Sequence, residues 1–182
     1  GLERFKERYS NRFFDVGICE EHAVSFAAGL ATSGFKPFFA VYSTFLQRGF
    51  DQIIEDVCMQ NLPVTFMVDR SGLVGEDGET HHGIFDNSYL SLIPNLTIMQ
   101  PKSLEELENM LDFASTFNGP LVIKYPKGRN NYHFHSNNSI SYGKWEILSN
   151  GEKLCIVATG RMVEIAMLVK EKLKQDIMIV NA

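Results

Sequence analysis

Hydrophobic positions along this chain fall into two alternating rhythms. Short apolar runs with β-type character are followed by longer stretches in which apolar residues recur at three- and four-residue spacing. Phe13–Ile18 is read as a strand leading into a helix from Glu20, along which Val24, Ala27, Ala28 and Ala31 share a face and which Gly34 ends. Lys36–Tyr42 is the next expected strand, with its proline at the entry. A second helix carries Phe50, Ile53, Ile54, Val57 and Cys58 on its buried stripe, and Pro63 introduces the strand Val64–Val68. From Asp69 to Asn87 runs a polar loop holding Gly72, Gly75, Gly78 and Gly83. A loop of that length inside a compact domain is functional or mobile.

Beyond the loop, Leu96–Met99 is an expected strand. Ser103-Leu-Glu-Glu106 is a capping box opening a helix with Leu104, Leu107, Leu111 and Ala114 on one face. Leu121–Tyr125 is a further strand before Pro126, and the Asn-, His- and Ser-rich stretch that follows lacks periodicity. The pattern then restarts: strand Leu154–Ala158, helix stripe Met162, Ile165, Ala166, Val169 and Leu173, and strand Ile177–Val180. Strands alternating with helices predict an α/β fold, because parallel neighbours need a crossover. The expected layout is a doubly wound, mainly parallel sheet over residues 1–128, a linker over 129–141, and the start of a second α/β domain over 142–182.

Composition narrows the function classes. The 182 residues carry 17 Lys+Arg against 22 Asp+Glu, and the resulting charge of −5 argues against general nucleic-acid or anionic-membrane binding. No apolar run approaches the roughly 20 residues of a membrane span, and no signal peptide is read at Gly1. Cys19, Cys58 and Cys155 form no CxxC pattern. Cys58 and Cys155 are expected as small buried hydrophobes of a cytoplasmic protein, whereas Cys19 stands beside a candidate site.

Chemistry-bearing residues collect in four segments. Asp15–His22 places Glu20, Glu21 and His22 where a helix begins, either to line a site or simply to complement the helix N-terminus. Tyr42–Arg48 offers Phe45 and Arg48 as a ring platform with an anion-holding cation, or as core and solvated charge. Asp69–Gly83 concentrates Arg70, Asp77, His81 and His82 after a strand. A substrate loop with His81 as acid or base fits it better than a metal site, for which no ligand spacing exists. Lys124–Arg129 is a basic cluster, suited to a phosphate or to solvent. All four are expected to meet at one sheet edge, because strand ends gather there in a parallel sheet. The sequence has no G-x-G-x-x-G, P-loop or G-x-S-x-G motif.

The segments Asp15-Val-Gly-Ile-Cys-Glu-Glu-His-Ala-Val24, Tyr42-Ser-Thr-Phe-Leu-Gln-Arg48, Asp69-Arg-Ser-Gly72, Gly75-Glu-Asp-Gly78, Thr80-His-His-Gly83 and Tyr125-Pro-Lys-Gly128 resemble, in order, the 1-deoxy-D-xylulose-5-phosphate synthase family. The remainder is similar to the opening of that family's transketolase-like C-terminal domain. The resemblance implies a thiamine diphosphate enzyme that condenses pyruvate with D-glyceraldehyde 3-phosphate, releases carbon dioxide, and supplies isoprenoid, thiamine and pyridoxal synthesis. By the same resemblance, Glu20 hydrogen-bonds the cofactor's aminopyrimidine and is catalytic with His81. Phe45 stacks on that ring, with Tyr42 and Arg48 beside it. Asp77 and His81 contact the acceptor aldehyde, and Arg70 and Lys127 bind its phosphate. Several relatives carry arginine where Lys127 stands, and lysine cannot make the planar bidentate contact.

The family holds Mg²⁺ and the diphosphate through a Gly-Asp-Gly motif on a preceding domain, and no such motif occurs here, so no metal ligand is assigned to this chain. The chain alone is therefore expected to bind the cofactor weakly and to lack synthase activity. The end at Ala182, straight after a strand-like run, is read as truncation. The family further implies a homodimer. A transketolase, the β subunit of a 2-oxoacid dehydrogenase, and a non-catalytic binding module are the competing readings.

Overall fold

The computed structural model describes residues 1–128, 132–134 and 139–182. Much of the expected linker 129–141, and Arg129 of the basic cluster, lie outside the described residues. Helix α1 (Glu3–Arg8) and a short 3₁₀ turn (Ser10–Arg12) open the chain, followed by helix α2 (Glu20–Thr32). The strand expected over Phe13–Ile18 does not form. That segment is extended coil with Phe14 and Ile18 exposed, since no neighbouring strand pairs with it among the described residues.

Helix α2 closes in a Schellman motif. Phe35 N–H donates to Leu30 C=O at 3.2 Å and Gly34 N–H to Ala31 C=O at 3.0 Å, with Gly34 at φ +87°. Strand β1 (Phe38–Tyr42) then runs into a segment that is not the single helix its stripe suggests. It winds as α3 (Ser43–Leu46), a 3₁₀ turn (Gln47–Gly49), α4 (Phe50–Gln52) and a π turn (Ile53–Cys58). Leu46, Ile53, Val57 and Cys58 are all buried in the core along this segment.

Strand β2 (Thr65–Asp69) leads into the glycine-rich loop, whose 3₁₀ turns (Gly75–Asp77 and Glu79–His81) precede helix α5 (Asp86–Leu90). Strand β3 (Thr97–Met99), helix α6 (Leu104–Thr116) and strand β4 (Leu121–Lys124) complete the first unit. Its four strands are parallel in the order β1-β2-β4-β3. Successive residues of β2 and β4 alternate between two cores, as the pleat requires. Phe66, Val68 and Val122 face α2 and the π turn, whereas Leu121, Ile123 and Met67 face α6. The sheet is thus covered on both faces.

The capping box forms with an altered second half. Ser103 Oγ accepts from Glu106 N–H at 3.2 Å, while the Glu106 carboxylate accepts from Lys102 N–H at 2.6 Å. That draws Glu106 inward, so the buried stripe of α6 is Glu106, Met110 and Ala114, and Leu104, expected inside, is exposed.

The second unit is a three-stranded sheet in the order β5-β7-β6. Strand β5 (Glu146–Ser149) pairs antiparallel with β7 (Ile177–Asn181), and β6 (Leu154–Ala158) pairs parallel with β7, with α7 (Arg161–Leu173) between β6 and β7 in sequence. Of the expected α7 stripe only Ala166 is buried, with Val163 beside it, and Cys155 on β6 is exposed rather than buried. A buried charge cluster joins the two units. Lys102 Nζ donates to Glu106 Oε1 at 2.8 Å and to Glu146 Oε2 at 2.7 Å, and Asn181 Nδ2 donates to Glu106 Oε1 at 2.8 Å.

Candidate functional site

Strands β1, β2 and β4 are parallel, so their carboxyl ends deliver Tyr42, Asp69–Arg70 and the Lys124–Lys127 segment to one edge. Glu20 reaches that edge from the first turn of α2. Gly49 packs closely against α2 there, where a Cβ would lie 3.0 Å from Val24 Cγ2. Arg48 Nη1 donates to Glu20 Oε2 at 3.1 Å, and only Oε2 of this buried carboxylate is so engaged among the described residues.

From Glu20 the contacts continue without a break. The Arg48 guanidinium lies 5.7 Å from the centre of the Phe45 ring. Phe45 stacks on Tyr42 at 5.3 Å, and His81 stands edge-on to both rings, at 5.5 Å from Phe45 and 6.3 Å from Tyr42. Arg70 covers the other part of Tyr42, its Cζ 3.8 Å from the ring centre. Arg70 Nε donates to Asp77 Oδ2 at 2.7 Å, and Lys127 Nζ donates to Asp77 Oδ1 at 2.5 Å. Glu20, Arg48, Phe45, Tyr42, His81, Arg70, Asp77 and Lys127 therefore form one connected series.

One conformational and one electrostatic feature set this series apart from a set of surface charges. Arg70 adopts φ +61°, a left-handed backbone uncommon for a non-glycine residue. Its own N–H donates to Asp69 Oδ1 at 2.7 Å, and its Nη1 also donates to Asp69 Oδ2. Hydrogen bonds from Lys127, then from Arg70, hold the Asp77 carboxyl below the usual carboxylate range. The two cations are thus kept side by side by a carboxylate that stays ionised.

Other candidates fall outside the series. Glu21, His22 and Cys19 are exposed, and His22 stacks on Phe26 instead. His82 Nδ1 accepts from Val74 N–H at 3.1 Å, a bond that shapes the loop. A cleft of about 320 Å³ between the units touches the series at Lys127, and is otherwise lined by Asp69, Ser103, Leu104, Tyr125 and Arg161 among others. Among the described residues no group of three or more His, Cys, Asp or Glu is placed to hold a metal ion, and no helix is long and apolar enough to cross a membrane.

Sequence patterning did not single out the support beneath the series. Asp86, at the start of α5, is buried and accepts from Ser43 Oγ, Ser71 Oγ and Lys124 Nζ. A signal was available: Ser43 and Ser71 each directly follow a candidate residue, and Lys124 ends an otherwise apolar strand.

The family profile described as the pyrimidine-binding domain of transketolase matches residues 1–132. The chain belongs to that family. It is 57% identical over 187 aligned residues to a protein named 1-deoxy-D-xylulose-5-phosphate synthase from Clostridium perfringens strain SM101, and 58% identical over 186 to one of the same name from Clostridium botulinum strain Eklund 17B. Both alignments cover all of this chain and 30% of the relative, so the chain spans under a third of those proteins. Among solved structures, one titled a split gene transketolase, inactive β4 tetramer, superposes with a TM-score of 0.88 at 25% identity, covering 97% of this chain and 59% of that one. A transketolase from Pichia stipitis, titled as the H261F mutant, superposes at 0.79 over 89% of this chain and 25% of its own, and at 19% identity it supports the fold alone. Membership of the pyrimidine-binding family agrees with the doubly wound α/β fold expected from the alternation of strands and helices.

Proposed function

We propose that this chain supplies the pyrimidine-side half of the active site of a thiamine diphosphate-dependent 1-deoxy-D-xylulose-5-phosphate synthase, which condenses pyruvate with D-glyceraldehyde 3-phosphate in the cytoplasm as a homodimer. The observation that carries the reading is the unbroken series from Glu20 to Lys127, which sets a buried carboxylate, an aromatic platform and a paired-cation cluster along one edge. In this reading residues 1–128 form the pyrimidine-binding domain and 142–182 begin the next one.

The residues present fit the pyrimidine end of the cofactor. Glu20 keeps one carboxylate oxygen unengaged by its ion pair, and Phe45 and Tyr42 are half-buried rings, Phe45 resting on the core. When bound, thiamine diphosphate supplies a carbon nucleophile and an electron sink for decarboxylation. Glu20 would hold a proton at the pyrimidine ring nitrogen, and Arg48, 3.1 Å from Oε2, would orient that carboxylate. Phe45 fixes the plane of the ring by stacking. In this reading His81 would hold a proton at the acceptor's carbonyl oxygen with Tyr42 and Asp77 contacting the acceptor, and Arg70 and Lys127 would take its phosphate. The anchors for Mg²⁺ and the diphosphate are assigned to residues outside this chain, and the isolated chain is expected to bind the cofactor weakly.

The test is an assay of the longer protein containing this chain with pyruvate and D-glyceraldehyde 3-phosphate, following carbon dioxide release and the ketose phosphate formed. Turnover is expected without any ketose donor. Activity that appears only with a ketose donor would assign the chain to a transketolase instead.

A further inference from the structure

Both oxygens of the Asp86 carboxylate are fully used, although the residue is 2% exposed. Oδ1 accepts from Lys124 Nζ at 2.7 Å and from Asn87 N–H at 2.6 Å, and Oδ2 accepts from Ser43 Oγ at 3.0 Å and Ser71 Oγ at 2.6 Å. A carboxylate offers about four acceptor directions, and donors occupy all four. Lys124, itself 2% exposed, neutralises the charge and also donates to Asn87 Oδ1 at 2.7 Å.

The three side-chain donors lie close in sequence to residues of the connected series. Ser43 follows Tyr42 and lies two residues before Phe45. Ser71 follows Arg70, and Lys124 lies three residues before Lys127. The loop bearing His81 is drawn to the same point, where Gly72 and Gly83 exchange N–H···O=C bonds of 2.9 and 2.8 Å. Gly83 packs so tightly there that a Cβ would lie 2.4 Å from Arg70 O and 2.5 Å from Ser43 Oγ. Four chain segments are thus tied through one buried anion.

We propose that Asp86 is a positioning residue that fixes the spacing of the Tyr42–Phe45, Arg70 and His81 segments through Ser43, Ser71 and Lys124. Asparagine at this place keeps one acceptor oxygen and turns an amide N–H₂ toward a cation or a hydroxyl donor, so it cannot serve both serines and Lys124 at once. A buried ion pair that served stability alone would behave differently, because replacing both partners together would then restore the protein.

The test compares Asp86→Asn, Lys124→Met and the double variant by hydrogen exchange at the Ser71, Gly72 and Gly83 amides, together with the unfolding midpoint. Asp86→Asn is expected to speed exchange at these amides by about tenfold or more while the β2 amides stay protected. The double variant is expected to regain much of the midpoint and to keep the fast local exchange. Local exchange that returns to the wild-type rate together with the midpoint overturns the proposal. If Asp86→Asn does not fold, Ser43→Ala/Ser71→Ala leaves the ion pair intact and is expected to give the same local effect, and unchanged exchange there overturns it equally. A kinetic arm rests on the function proposed above: in the longer protein, Asp86→Asn should raise KM for the aldehyde phosphate about tenfold per active site, because small misplacements of binding groups are costly. An unchanged KM overturns the proposal. A wild-type protein without synthase activity would instead refute the functional reading, leaving exchange to judge Asp86.

Discussion

Arg48 donates to Glu20 across 3.1 Å, joining a buried carboxylate at the start of α2 to a guanidinium that is itself half-exposed. Removing either partner should have different consequences. Glu20→Gln keeps the shape and loses the charge, so on the proposed function the longer protein is expected to lose roughly 100-fold or more in kcat with an unchanged fold, the scale of a lost acid–base group. Arg48→Met leaves the buried Glu20 carboxylate without this cation and is expected to cost about 1–3 kcal/mol of stability. Steady-state kinetics and thermal unfolding check the two parts separately, and full activity in Glu20→Gln would remove Glu20 from the chemistry.

The Asp77 carboxyl gives the loop a pH dependence of definite sign. Its folded pKa is depressed by hydrogen bonds from Lys127 and Arg70. The corresponding stabilisation is therefore present above the ordinary carboxylate value of about 3.9 and is lost as pH falls through the lower folded value. Unfolding midpoints measured from neutral pH down into that acid range should fall more steeply for the wild type than for Asp77→Asn. Parallel curves would show that the Arg70–Asp77–Lys127 cluster contributes nothing to the fold.

At Gly83 the prediction is steric. Its α-carbon faces the Arg70 carbonyl and the Ser43 hydroxyl, and one is backbone that cannot swing aside. Gly83→Ala should destabilise by about 1–3 kcal/mol, the usual cost of overpacking, and should disturb Arg70 and His81 together. Denaturant unfolding measures the first effect, and a wild-type midpoint would mean that the loop can retreat without loss.

Lys102 answers two carboxylates, Glu106 from the first unit and Glu146 from the second, with its side chain almost wholly buried. Lys102→Met removes the cation that these two carboxylates share and is expected to cost about 3 kcal/mol or more. Replacing only the exposed Leu104 nearby should be close to neutral, which makes it the control in equilibrium unfolding.

Much of this architecture was legible because it is local. The alternation of short apolar runs with helical stripes specifies β1, β2, β3, β4, α2 and α6 within a few residues, and glycine at position 34 specifies how α2 ends. Candidate residues were legible through chemistry, since Tyr42, Arg70 and Lys127 each follow an apolar run, and parallel strands place such residues on one edge. Where periodicity misled, burial was being decided by partners distant in sequence. Phe13–Ile18 has strand-like residues and no strand to pair with among those described, and Leu104 was displaced from the core of α6 because Glu106 turns inward to Lys102 and Asn181. Strand β5 carries no strong alternation and exists through its antiparallel pairing with β7.

The sequence by itself determined the fold class, the order of most elements and which residue types could do chemistry, because hydrophobic period and turn chemistry act over a few residues. Only the tertiary structure decided that Glu20 meets Arg48, that Arg70 lies on Tyr42, and that Asp86 ties their segments together. Those contacts span 28, 28 and as many as 43 positions of chain. They depend on the parallel register of β1, β2 and β4 and on the absence of a side chain at Gly83, and no local pattern encodes a distance of that kind.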